Sequence, residues 1–130
     1  MEFEIVTTQR EQFVDVTRRV EEAVAASGFT DGIVVVYCPH TTAGITINEN
    51  ADPDVVCDLL AGLERLAPRH AGWRHAEGNS DAHLKASLLG SSAMVPVAGG
   101  RLALGTWQGI YLGEFDGPRH RRVSVTTIPG

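Results

Sequence analysis

Hydrophobic positions along the chain change their spacing several times, and each change marks an element. In residues 2–7, Phe3 and Ile5 alternate with polar neighbours, the period of a strand. Thr8 followed by Glu11 has the form of a capping box, and Phe13, Val16, Val20, Ala23 and Val24 then recur at helical spacing up to Gly28. This pattern predicts a first helix over that whole stretch. Gly32 opens the run Ile33-Val34-Val35-Val36-Tyr37-Cys38, whose β-branched density is that of a buried central strand ended by Pro39. Ile45 and Ile47 alternate as a short strand. Asp52-Pro53 starts a second helix, because the carboxylate can cap and proline at the first helical position loses no needed donor. Val55, Val56, Leu59, Leu60, Leu63 and Leu66 give that helix its apolar face, and Pro68 closes it. Residues 69–79 show no period. Asn79 or Ser80 caps a short third helix through Leu89, stopped by Gly90.

Beyond Gly90 the character changes to short strands, Met94–Val97, Arg101–Leu104, Trp107–Phe115 and Arg122–Ile128, with Gly99-Gly100 as a hairpin signal. The expectation is an α+β fold in a single domain, residues 1–130. It has mixed or antiparallel sheets, two main helices, one short helix and a C-terminal β-meander.

Composition narrows the function classes. The 130 residues carry 16 acidic and 11 basic side chains, a net charge of −5, which argues against broad nucleic-acid binding. No apolar run reaches the ~20 residues of a membrane helix, and the N-terminus MEFEIVTTQREQ lacks a signal-peptide pattern. The expected location is the cytoplasm, with no membrane partner and with Cys38 and Cys57 as reduced thiols.

Candidate chemistry lies in five places. Cys38-Pro39-His40-Thr41-Thr42-Ala43-Gly44 puts a histidine and two hydroxyls at a strand exit, suited to an anion or a metal-linked ligand, or simply to closing a turn. In Asn48-Glu49-Asn50-Ala51-Asp52, Asp52 is wanted as a cap and Glu49 remains for chemistry. The stretch from His75 to Lys85 holds two histidines, two carboxylates, an amide and the only lysine, although its histidine spacing matches no standard zinc pattern. His75 in the loop and His83 in the first helical turn can converge near a helix N-terminus, whose free N–H groups suit phosphate. His70, beside Arg69, reads as a surface residue. Trp107-Gln108 between glycines offers a flat wall and an amide to a ligand ring, and Trp107 serves equally as core. Asp116-Gly117-Pro118-Arg119 turns into a basic run, from which Arg119 can reach a site through its planar fork.

Together these segments resemble a known family. HTTAGITINENADPDV and HAEGNSDAHLKASLLGSSAMVPVAGGRLALGTWQGIYLGEFDGPR look like the YjbQ family of small bacterial and archaeal proteins, over about three-quarters of the chain. The resemblance implies an α+β homotrimer with secondary thiamine-phosphate synthase activity, joining a pyrimidine pyrophosphate to a thiazole phosphate as pyrophosphate leaves. It implies His40, Glu49, His75, Asn79, Asp81, His83, Trp107, Gln108 and Arg119 as site positions. The expected roles are His40, His75 and His83 on a divalent metal (zinc or magnesium), and Glu49 and Asp81 as catalytic carboxylates. Thr41, Asn79, Trp107, Gln108 and Arg119 would bind a small anionic or phosphorylated metabolite. A metal-dependent hydrolase of such a metabolite and a non-catalytic small-anion binding module are the alternative readings.

Overall fold

A computed structural model describes residues 1–130. In chain order its elements are β1 (Glu2–Val6), β2 (Gln12–Asp15), α1 (Thr17–Ser27), β3 (Gly32–Tyr37), β4 (Ala43–Glu49) and α2 (Pro53–Leu66). They continue with α3 (Ser80–Leu89), β5 (Ser92–Ala98), β6 (Arg101–Leu102), β7 (Gln108–Glu114) and β8 (His120–Pro129). The fold is α+β in one domain, with two antiparallel sheets ordered β1-β8-β3-β5-β6 and β2-β7-β4. The sheets face each other across a core of Val34, Val36, Val95, Val97, Val123 and Val125 from one side, with Ile45, Ile110 and Leu112 from the other. Val20 and Val24 of α1 complete it.

Three expectations change. The predicted first helix divides, because residues 12–15 pair with β7 from Gln12↔Glu114 to Asp15↔Tyr111, and α1 begins only at Thr17. Thr8 and Glu11 form no capping box. Instead Gln12 Oε1 accepts from the Thr8 amide at 2.6 Å and the Gln9 amide at 3.2 Å, closing the turn before β2. Asp15 takes over the helix start, its Oδ1 accepting from the Thr17 amide at 2.9 Å. The C-terminal strands do not run as one meander. Only β5 and β6 form a hairpin, through Gly99 and Gly100 at φ 58° and 77°, the left-handed region that such two-residue turns need. β7 then crosses to the second sheet, and β8 returns between β1 and β3. Finally, β3 is central but buried on one face only: Ile33 and Tyr37 remain exposed on the other.

The second helix starts as expected, with Asp52 Oδ1 accepting from the Asp54 amide at 2.9 Å. None of its residues is fully buried, and Leu66 is exposed. α3 lies across β4 because two glycines leave room for it. Gly44 and Gly113 are cross-strand partners, and a Cβ on Gly44 would meet the Gly90 carbonyl at 2.6 Å, while one on Gly113 would meet Leu89 Cδ2 at 2.6 Å. This close approach seats the C-terminal turn of α3 on β4 and β7, and the helix carries its N-terminal turn to the exit of β3 and the start of β8.

Candidate functional site

A cavity of about 480 Å³ opens where β3 exits, between the N-terminus of α3 and the turn leading into β8. Apart from Pro39 its lining is polar throughout, and it brings together His40, Thr41, His75, Asn79, His83 and Arg119 of the expected site. Thr42, Glu77, Asp116 and Arg121 join them, each from a candidate segment though not singled out there as a site residue.

The floor is a buried ion pair. Arg121 and Glu114 are nearly inaccessible, with Arg121 Nε donating to Glu114 Oε1 at 2.9 Å and its Nη2 to Glu114 Oε2. Nη2 also donates to Thr42 Oγ1 at 2.8 Å, which orients the threonine at the cavity wall. Burial pushes the Glu114 carboxyl up, but hydrogen bonds from Arg121, Thr7 and the Asp116 amide outweigh it and hold the group below its usual range. Asp116 behaves alike: burial is outweighed by Asn79 and Arg119, so it too lies low. Arg119 donates through Nε to the Asp116 carbonyl at 2.8 Å and through Nη2 to Asp116 Oδ2 at 3.0 Å. Its other guanidinium nitrogen, Nη1, makes no hydrogen bond within the chain.

The histidines differ from one another. Nε2 of His40 accepts from the Arg122 amide at 2.8 Å, so the proton of the neutral ring sits on Nδ1. Burial, with the nearby charges of Arg121 and Arg122, lowers the His40 pKa and keeps that neutral form. His75 and His83 stand edge to face, ring centroids 5.5 Å apart at 85°, and His75 Nε2 lies 3.7 Å from Glu77 Oε2. The ring of His83 makes no hydrogen bond within the chain. Asn79, the residue preceding α3, donates from Nδ2 to Asp116 Oδ2 at 2.8 Å, and its Oδ1 is the one buried side-chain polar atom left without a partner. Aside from the histidines, Arg119 and Arg121 face Glu77 and Asp116, so the lining carries no net formal charge.

Asp81 is not in this cavity. It is fully buried on the opposite side of α3, where Arg10 grips it with two hydrogen bonds of 3.1 and 3.2 Å. Lys85, equally buried, donates to Asp81, Glu11 and Glu64 at 3.0, 2.8 and 2.7 Å. Burial pushes the Asp81 carboxyl up and the Lys85 ammonium down, yet their partners win in both cases, lowering the first and raising the second. Glu11, Glu64 and Asp81 are the only three metal-ligand-type side chains whose donor atoms all lie within 4.8 Å of one another, and Lys85 already occupies their centre. The expected histidine triad is not that close.

Glu49, Trp107 and Gln108 also stand apart. Glu49 pairs with Gln108 at the end of β4 and β7 away from the cavity, about 20 Å along the strand from Ala43 at ~3.4 Å per residue. Gln108 Oε1 accepts from the Gly105 amide at 2.8 Å, closing its own turn, and Trp107 is 63% exposed rather than core. His70 is exposed, as expected, and both cysteines are free, Cys38 buried and Cys57 exposed. No helix is long and apolar enough to cross a membrane.

This architecture is shared with known proteins. The UPF0047 protein YugU of Bacillus subtilis (strain 168) is 56% identical over 119 residues, covering 91% of this chain and 90% of its own. The UPF0047 protein MJ1081 of Methanocaldococcus jannaschii is 51% identical over 126 residues, covering 97% and 91%. A crystal structure of an uncharacterized conserved protein from Clostridium acetobutylicum superposes with a TM-score of 0.96 at 55% identity, over 98% of this chain and 99% of that one. The hypothetical protein APE1520 from Aeropyrum pernix K1 superposes at 0.95 with 40% identity, over 100% and 98%. The profile of the family described as UPF0047 protein YjbQ-like matches residues 1–130 from end to end, and the chain belongs to that family.

Proposed function

We propose that the cavity binds a small phosphorylated metabolite and that the chain is a transferase of the secondary thiamine-phosphate synthase kind. The reaction forms the bond between the thiazole nitrogen and the pyrimidine methylene and breaks the methylene–oxygen bond to the departing pyrophosphate. The observation that carries this reading is the all-polar lining itself, with the Nδ1–H of His40, the hydroxyls of Thr41 and Thr42 and the open nitrogen of Arg119 around one space. Donors fixed in place before a negative charge develops on a leaving group are the main source of stabilisation in such reactions. His40 serves as a donor and Arg119 as the anchor of a phosphate oxygen. Asn79 and Asp116 hold each other and thereby hold the Arg119 fork.

The test is pyrophosphate release from the pyrimidine pyrophosphate by purified protein. Release that requires the thiazole phosphate, and that falls at least tenfold in Arg119→Ala, supports the transferase. Release without the thiazole phosphate makes the chain a hydrolase, and saturable phosphate binding with no release makes it a binding module.

The same reading takes the chain as a cytoplasmic homotrimer. An apolar patch on the outer face of the first sheet supports self-association: Ile33, Val35, Tyr37, Met94, Pro96 and Ile128 lie together on β3, β5 and β8, with the charged Glu2, Glu4 and Arg122 confined to its β1 side. The exposed free thiol of Cys57 fits a reducing compartment. Sedimentation equilibrium should give three chains per particle, and Met94→Glu should shift it to the monomer. A monomeric parent protein would refute the trimer.

A further inference from the structure

We infer that His75, His83 and Glu77 form a divalent-metal site of two imidazoles and one carboxylate, with His40 beside it as a hydrogen-bond donor to the ligand rather than as a metal ligand. The inference rests on the reading of the cavity as an anion site and says what supplies its positive charge. Both guanidinium groups of the lining are already matched: Arg121 by Glu114, Arg119 by Asp116. A phosphate entering there would meet no surplus cation from the side chains themselves. A bound divalent ion removes that deficit.

The geometry separates the three histidines into two kinds. His75 Nε2 and Glu77 Oε2 are 3.7 Å apart. Two ligands each ~2.0–2.2 Å from one zinc sit slightly closer than that, so the pair needs to close by only a few tenths of an ångström. Glu77 has no arginine or lysine partner, its sole close contact with a titratable group being His75. His83 presents its ring edge-on to His75, and neither of its nitrogens is engaged within the chain. The three donor atoms do not all lie within 4.8 Å of one another in the metal-free chain, so binding requires the unengaged His83 ring to turn toward the His75–Glu77 pair. His40 cannot join them as it stands. Its Nε2 is occupied by the Arg122 amide, and its Nδ1 bears the proton. Binding a metal through Nδ1 would require either breaking that hydrogen bond or forming an imidazolate.

The donor set also narrows the metal. Two imidazole nitrogens and one carboxylate oxygen suit zinc and its neighbours, whereas magnesium prefers oxygen donors and retained waters. Three protein ligands leave a position open for a phosphate oxygen, with the His40 Nδ1–H available to the same group. The carboxylate cluster of Glu11, Glu64 and Asp81 does not compete, since Lys85 fills it.

The experiment is calorimetric titration of the metal-stripped full-length chain with zinc and with magnesium, each repeated with inorganic phosphate present. One zinc per chain should bind, and magnesium far more weakly. Loss of an outer partner costs ~10–100-fold in metal affinity, and loss of a true ligand exceeds that range. His75→Ala, His83→Ala and Glu77→Gln should therefore each weaken zinc by more than ~100-fold, while His40→Gln stays below ~10-fold yet lowers phosphate affinity. Thermal melts check folding, and His75→Gln and His83→Gln replace the alanine variants if either melts early. Nitrogen-15 spectra should show His40 protonated on Nδ1 before and after zinc.

No zinc binding, retention of zinc by Glu77→Gln, or His40→Gln losing zinc as completely as His83→Ala would overturn the assignment. Phosphate that binds the metal-free chain as tightly as the zinc-loaded chain would overturn the metal's role while leaving the anion site standing. Phosphate that binds neither would refute the anion site itself.

Discussion

Two polar clusters lie on opposite faces of α3, and they are built to opposite ends. Around Lys85, every charge has found its complement: one ammonium meets three carboxylates, and Arg10 holds the most buried of them from the other side. Around His40, the floor is equally well matched, but the rim is left incomplete, with His83 unengaged and the Arg119 fork half used. The closed cluster joins the β1–β2 turn, α2 and α3 through Glu11, Glu64 and Lys85. The unengaged groups of the open one, the His83 ring and Nη1 of Arg119, join no other element. Saturated valence marks a fastening; valence left over beside a rigid floor marks a place for a ligand.

That contrast can be broken by mutation. Lys85→Ala should be the most damaging change, costing about 3–5 kcal/mol, because it removes the ammonium shared by three carboxylates and leaves the buried Asp81 with Arg10 alone. Urea denaturation at neutral pH measures it, and a loss below ~1 kcal/mol would mean that the cluster is not a fastening. Gly44→Ala should cost about 1–3 kcal/mol by pushing α3 off β4, and it should lower phosphate binding too, since Asn79 and His83 travel with that helix.

Acid sharpens the comparison further. Asp81 and Glu114 both have lowered pKa values in the folded chain, so their stabilisation is complete above the ordinary carboxylate range and is lost as pH falls through the lowered values. Lys85 has a raised value, so its share is complete below ~10.4 and is lost as pH rises through the raised one. Urea midpoints should hold steady from these groups across neutral pH, drop below about pH 4, and drop again at strongly alkaline pH. A midpoint falling already at pH 6 from loss of these pairs would contradict the arrangement.

At the small end, His83→Ala should change stability by no more than ~0.5 kcal/mol, as a change away from core and caps does, while phosphate or zinc binding is largely lost. Trp107→Ala should be as mild for stability, and a single chain's cavity should bind phosphate unchanged, given their separation.

The local elements were largely legible. Asp52-Pro53, Gly90 and Gly99-Gly100 act where their chemistry places them. The sequence pattern overextends the first helix because Phe13, Val16 and Val20 satisfy a helical period while Phe13 equally fits a strand opposite Gly113, and only the long-range partner β7 decides between them. The site was half legible. Asn79 and His83 are four apart on one face of α3, and Asp81 and Lys85 are four apart on the other, so the helical period alone separates the catalytic candidate Asp81 from the histidine. Glu114 and Arg121 carried a signal as well. Each continues the alternation of buried residues, Ile110 and Leu112 for one, Val123 and Val125 for the other, which places two opposite charges in phase with the core. What no local pattern could give was the placement of β8 between β1 and β3, or the distance between Glu49 and the cavity.

The placement of β8 sets a timetable. A ribosome delivers β1, β3 and β5 well before the strand that bridges the first of them to the rest. Until β8 arrives, β1 has no partner and β3 shows an unpaired edge, the kind of surface that nascent chains misuse for pairing with one another. The chemistry waits as well, because the Arg122 amide that selects the His40 tautomer and the Arg121 that anchors the floor both ride on β8. A nascent chain paused before His120 would hold His40, His75 and His83 around an unfinished wall, so binding competence waits for β8.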